Sequence, residues 1–184
     1  ELGPNRTIAV AFGFLTVGIS LKLALFPLHL WLPNAYTYAP SAVTVFIAST
    51  ATKVAVYMLL RFFFTVFGAV FSFNVMRLNI VLLVLALVAI FSMSLVAIFQ
   101  TNVKRMLAYS SIAHAGYLLL AIVSNNGTAT AGLLFYLFVY TFMNIGALAI
   151  VMTVGGQAER NQRIGDYAGL GWRQPMLGIF MTIF

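Results

Sequence analysis

Two lysines sit where hydrocarbon would exclude them. Lys22 and Lys53 lie in the apolar stretches SLKLALF and IASTATKVAVY, separated by a proline-rich connector that carries His29. An ammonium group at the centre of a bilayer costs at least ~2.5–3.5 kcal/mol, so such a residue usually faces a bundle interior or a water path. Desolvation and a movable counter-charge both change how tightly an amine holds its proton, and lysines so placed are suited to loading and releasing protons. Around Lys53, Ser49 stands one turn before and Tyr57 one turn after, on one helical face, with Thr50 nearby. A third candidate is His114, ten residues after Lys104 and hence about 15 Å further along a helix, near mid-membrane. Ser110 and Ser111 precede it by four and three residues, on its own face. A histidine with hydroxyls at that depth suits proton relay.

Each has a plainer alternative. Lys22 could snorkel to the interface from a helix end. Lys53 could be half of a buried ion pair, His29 a hydrogen-bonding turn residue, and His114 locked by one interhelical bond. Other chemistries find no support. No phosphate-binding glycine loop, paired carboxylates or Ser/His/Asp arrangement occurs, and the only acids are Glu1, Glu159 and Asp166, all outside the apolar segments. The absence of cysteine excludes disulfides and thiolate or iron–sulfur ligation by this chain. No cofactor or metal is expected.

The elements that hold these residues are membrane helices. The chain is 62% hydrophobic and 7% charged, with a mean hydropathy of +1.03, whereas soluble domains carry about 25% charged residues. The pattern predicts an all-α, polytopic transmembrane bundle of about five full helices plus the start of a sixth. They fall near 7–26, 42–64, 78–99, 103–123, 129–154 and 175–184, within a single transmembrane unit. Pro27 breaks the first helix. Gly13 and Gly18 mark a thin face on it that could admit a neighbour. The connector, 27–41, with three prolines, Trp31, Tyr36 and Tyr38, reads as an interfacial or re-entrant turn.

Further along, 62–77 reads as an aromatic interfacial link, and 78–99 as a lipid-facing or packing helix. Thr101 or Asn102 can cap the next helix, with Lys104–Arg105 as its interfacial anchor. Tyr136, Tyr140, Thr141 and Asn144 lie on the fifth helix, Asn144 as interhelical glue. The stretch 155–174 reads as an aqueous loop, and Pro175 opens the last segment. The net charge of +7 sits mostly at segment ends, where it meets lipid headgroups, so nucleic acid is not a partner. Five Lys/Arg on the connector side against three on the other make the connector side cytoplasmic. The N-terminus ELGPNRT lacks signal-peptide features and an initiator Met, and ten residues of a last helix span only ~15 Å, so an internal fragment of a longer membrane protein is expected.

The phrases LKLALFPLHLWLPNAYTYAPS, ATKVAVYMLLRF and NVKRMLAYSSIAHAGYLLLAI resemble the proton-conducting transporter family: antiporter-like subunits of respiratory complex I, of Mrp-type cation/proton antiporters and of membrane-bound hydrogenases. The resemblance covers essentially the whole chain. It implies the seventh through the start of the twelfth helix of a fold of about fourteen, built on inverted five-helix repeats. Lys22 matches the family's seventh-helix lysine, Lys53 its eighth-helix lysine and His114 the histidine after the KRxLAYSS motif. By resemblance they belong to a midplane chain of ionisable groups and water. A fifth-helix glutamate and a charged twelfth-helix residue would lie outside this chain. Asn34 stands where many relatives have aspartate; the connector looks more like the Mrp D subunit, while SIAHAGY suits complex I equally. The implied function is proton translocation within a multisubunit complex, Mrp-type or NADH:quinone oxidoreductase, in a bacterial plasma membrane, with other membrane subunits, protons and Na+ as partners. The competing reading is a structural scaffold whose lysines only pair with neighbouring helices.

Overall fold

A computed structural model of the chain describes residues 5–156 and 162–184. Glu1, Glu159 and Arg160, and most of the N-terminal ELGPNRT, lie outside the described residues. What is described is helical, and five helices are long and apolar enough to cross a membrane. That follows from the backbone: in hydrocarbon each N–H and C=O must be satisfied within the segment, which a helix achieves.

Helix α1 spans Arg6–Leu23, capped by Asn5, whose side chain accepts from the Thr7 N–H at 3.2 Å. It stops at Leu23 rather than reaching Phe26, because Ala24 turns into the left-handed region (φ 58°) and the Leu25 N–H donates back to the Ser20 carbonyl at 3.0 Å. This closure satisfies the last carbonyls three residues ahead of Pro27. Among the described residues nothing stands within 4 Å of where a Cβ would lie at Gly13 or Gly18, so no neighbour closes on the thin face there.

The connector holds a short helix of its own. Its residues Trp31–Tyr38 form α2, and Leu32 and Tyr36 are fully buried. The Trp31 indole donates to the Leu21 carbonyl at 2.9 Å, tying α2 to the end of α1.

Helix α3 runs Ser41–Val66, with π-helical turns at Ile47–Ala51 and Arg61–Val66. The 62–77 stretch continues this helix, turns at Gly68 (φ 81°) and coils again over Val70–Val75. Its rings enter the core: Phe12 lies edge-on to Phe67 and Phe71, at 4.8 and 5.5 Å, and Phe63 is buried beside them. The Ser72 hydroxyl donates to the Phe63 carbonyl at 3.1 Å.

Helices α4 (Leu78–Ile98) and α5 (Val103–Val123) form the most extensive pair. Small residues allow it. A Cβ added at Gly116 would stand 3.0 Å from the Ala86 carbonyl oxygen and 2.8 Å from Ile90 Cγ1. Asn102 caps α5, accepting from the Arg105 N–H at 3.1 Å. Helix α6 spans Gly127–Gly155, capped by Asn126, and α7 spans Pro175–Ile183 with its proline in the first turn. The described part of the 155–174 loop folds back on the bundle: the Val103 N–H donates to the Gln162 carbonyl and the Ile164 N–H to the Thr101 carbonyl. Asp166 closes a short 3₁₀ turn by accepting from the Arg163 N–H at 2.9 Å.

Candidate functional site

Lys53, His114 and Ser111 come together on Tyr140. The π turn at Ile47–Ala51 precedes Lys53, and such wide turns recur at functional sites. The Ser49 and Thr50 hydroxyls donate to the Phe46 carbonyl at 3.1 and 2.7 Å. The Lys53 ammonium reaches one turn back to donate to the Ala48 carbonyl, as helical side chains lean toward the N-terminus. It also lies 4.3 Å from the centre of the Tyr140 ring, a cation–π arrangement that offsets part of its desolvation.

From α6, the Tyr140 hydroxyl donates to Ser111 Oγ at 3.0 Å. The His114 ring stacks on Tyr140 with centroids 4.5 Å apart and planes 25° apart, and His114 Nδ1 pairs with the Tyr136 hydroxyl. Between α1, α3, α5 and α6 a gap of about 10 Å³ is lined by Leu23, Thr52, Lys53, Ser111 and Tyr140, about the room one water needs. Lysine, tyrosine, serine and histidine thus gather into one polar seam inside an apolar bundle.

The other candidates stand apart. Lys22, in the last turn of α1, is exposed, although its neighbour Leu23 lines the gap. Tyr57 is 53% exposed; it points out of the bundle rather than continuing the Lys53 stripe. Ser110 is partly buried. His29 is buried against Phe26, rings 5.4 Å apart, and its burial holds the imidazole below its ordinary range. Asn144 donates to the Tyr140 carbonyl of its own helix at 3.0 Å, so this bond stays inside α6 rather than joining two helices.

Sequence reasoning gave two residues too small a part. Tyr140, noted only as a polar group of the fifth helix, is the hub; its signal was the i, i+4, i+8 stripe Tyr136, Tyr140, Asn144. Lys104, expected at the interface as an anchor, is fully buried, and its ammonium donates to the Ala39 carbonyl at the end of α2, at 3.2 Å. Its work is to hold the connector against α5.

The fold and seam define a multi-pass membrane protein with ionisable groups inside its bundle. A family model described as the transmembrane part of NADH:quinone oxidoreductase and Mrp antiporters matches residues 3–184, and the chain belongs to that family. Among its relatives, subunit N of the NADH-quinone oxidoreductase of Trichlorobacter lovleyi is 38% identical over 98% of this chain and 36% of its own length. That of Heliobacterium modesticaldum is 40% identical over 97% and 37%. The chain therefore spans little more than a third of the relatives it matches. Among solved structures, a chain of Thermus thermophilus respiratory complex I superposes with a TM-score of 0.74 at 32% identity, over 97% of this chain and 38% of that one. A chain of an archaeal membrane-bound sulfane sulfur reductase gives 0.82 at 29% identity, over 97% and 36%. A chain of the Mrp complex of Dietzia sp. gives 0.72 at 24% identity, over 80% and 27%, which shows the fold alone.

Proposed function

We propose that the chain supplies the central part of a proton path through an antiporter-like subunit of a multisubunit membrane complex in a bacterial plasma membrane. The observation that carries this is the convergence of Lys53, His114 and Ser111 on Tyr140 inside a dry bundle. In this reading Lys53 holds a proton and passes it through the Ser111–Tyr140 hydroxyls, or a water in the gap, toward His114. Lys22, exposed on this chain, would meet its partners on helices of the longer protein. The level of identity to subunit N supports NADH:quinone oxidoreductase as the owner, over the Mrp arm that the connector suggested.

The test is dissipation or build-up of a pH gradient in vesicles carrying the native complex, followed with a fluorescent probe. NADH addition is compared with sodium and potassium pulses, for wild type, Lys53→Ala and Lys22→Ala. The expected outcome is an NADH-driven signal that falls at least about tenfold in Lys53→Ala, since a positioned proton-transfer group contributes that much or more. A cation-driven signal lost in the mutants would assign the Mrp reaction. Mutants equal to wild type in both assays would instead establish the scaffold reading.

A further inference from the structure

Tyr140 divides its work between two parts of one side chain. Its hydroxyl donates to Ser111 Oγ at 3.0 Å. Its ring meets the two ionisable members of the seam: the Lys53 ammonium lies 4.3 Å from the centroid, and the His114 ring stacks on it at 4.5 Å. The tyrosine is buried and braced along its own helix. Tyr136 stacks on it one turn before, centroids 5.9 Å apart and planes 21° apart, and Asn144 donates to its carbonyl. An aromatic face is negative and attracts a cation, but it offers no lone pair on which a proton could settle. The ring therefore holds a charged lysine without discharging it, and has little hold on a neutral amine. Beside it, the gap lined by Thr52, Lys53 and Ser111 has the room of one water.

We propose that Tyr140 is a positioning residue that acts through its ring: the face seats the protonated Lys53 beside the gap and fixes His114 on the same ring, so that donor and acceptor keep their places. This rests on the proton-path reading above, and takes the gap route of the two it allows. One N–H of the ammonium stays on the Ala48 carbonyl. Another gives its proton to a water oxygen in the gap as that water passes one of its own hydrogens on toward His114. The net change is one proton moved from Lys53 Nζ to the His114 imidazole. It leaves a neutral amine that the ring no longer attracts as a cation, and a new proton on the nitrogen restores the seat. Only N–H and O–H bonds are made and broken, and the Tyr140 hydroxyl keeps its hydrogen throughout.

The discriminating comparison is made at position 140 in the intact complex, on the NADH-driven gradient. Tyr140→Leu removes the ring and should lower the gradient about tenfold. Tyr140→Phe returns the ring without the hydroxyl and should recover most of that loss. A Tyr140→Leu complex that pumps as wild type overturns the proposal. So does a Tyr140→Phe complex as impaired as Tyr140→Leu, because the hydroxyl then carries the step. Packing is separated from attraction by placing at 140 a tyrosine with one and then two ring fluorines, which drain the aromatic face and leave shape and hydroxyl in place. A seat for the ammonium predicts a stepwise fall in the gradient with little change in thermal stability. A structural tyrosine predicts a flat series, and a hydroxyl relay a flat or rising one, since fluorine makes the hydroxyl a readier donor; either result refutes the seat. The same series decides the matter should Tyr140→Leu fail to assemble. A flat series beside a Lys53→Ala complex that no longer pumps leaves the proposed function intact. If Lys53→Ala pumps as wild type, the proposed function falls and the seat with it.

Discussion

At the scale of single residues, what matters is which polar atoms the bundle leaves satisfied. Lys53 is accommodated by a carbonyl and an aromatic face, and the Lys104 ammonium donates to the Ala39 carbonyl. His29 is different, because burial disfavours its charged form. The unfolded chain then binds a proton more readily than the folded one, so stability is complete above the ordinary value of 6.5. It declines as pH falls below that, until the lowered folded value is passed, by at most about 1.4 kcal/mol per pH unit. Thermal unfolding of the detergent-solubilised protein across that window should show the decline, and His29→Gln should flatten it. An identical slope in the variant would mean that other groups carry the acid sensitivity.

At the scale of elements, the α4–α5 pair holds α5, and with it Ser111 and His114, in register. The approach at Gly116 leaves no room for a methyl group against the Ala86 carbonyl. That atom is backbone and cannot swing aside. Gly116→Ala should therefore push the helices apart at a cost of about 1–3 kcal/mol, read as a lower unfolding temperature and a lower membrane level. Gly13→Ala, where nothing stands within reach in this chain, is the matched control for helix propensity. Equal behaviour of the two variants would show that the α4–α5 approach has slack.

At the scale of the whole molecule, the connector, the start of α5 and the 162–174 segment share one end of the bundle, joined by Lys104 to Ala39 and by Thr101 to Ile164. The turn at Ser124–Asn126 lies at the other end of α5, about 30 Å away. The sequence has no cysteine, so within this chain single replacements report cleanly. A membrane-impermeant thiol reagent should reach Tyr38→Cys, a position 85% exposed, from one face of the membrane. It should reach Asn125→Cys, also exposed, only from the opposite face. By the positive-inside bias the expected outcome is Tyr38→Cys labelled from the cytoplasmic side; both positions reacting from one side would contradict the expected topology.

The sequence by itself determined the all-helical membrane class and marked Lys22, Lys53 and His114 as candidates. The reason is that hydrocarbon leaves one backbone solution per segment and makes any ionisable residue inside it conspicuous. Tertiary structure decided everything that depends on residues far apart in the chain. Tyr140 looks like an ordinary core aromatic until Lys53, Ser111 and His114, on two other helices, are brought to it. Lys104 reads as an anchor until a carbonyl 65 residues away is placed within its reach. Tyr57 shares a face with Lys53 by spacing alone, yet only the long lysine side chain leans back under cover, while Tyr57, one turn on, points outward. Helical periodicity says which residues share a face; only the packing of other helices says which part of that face is dry.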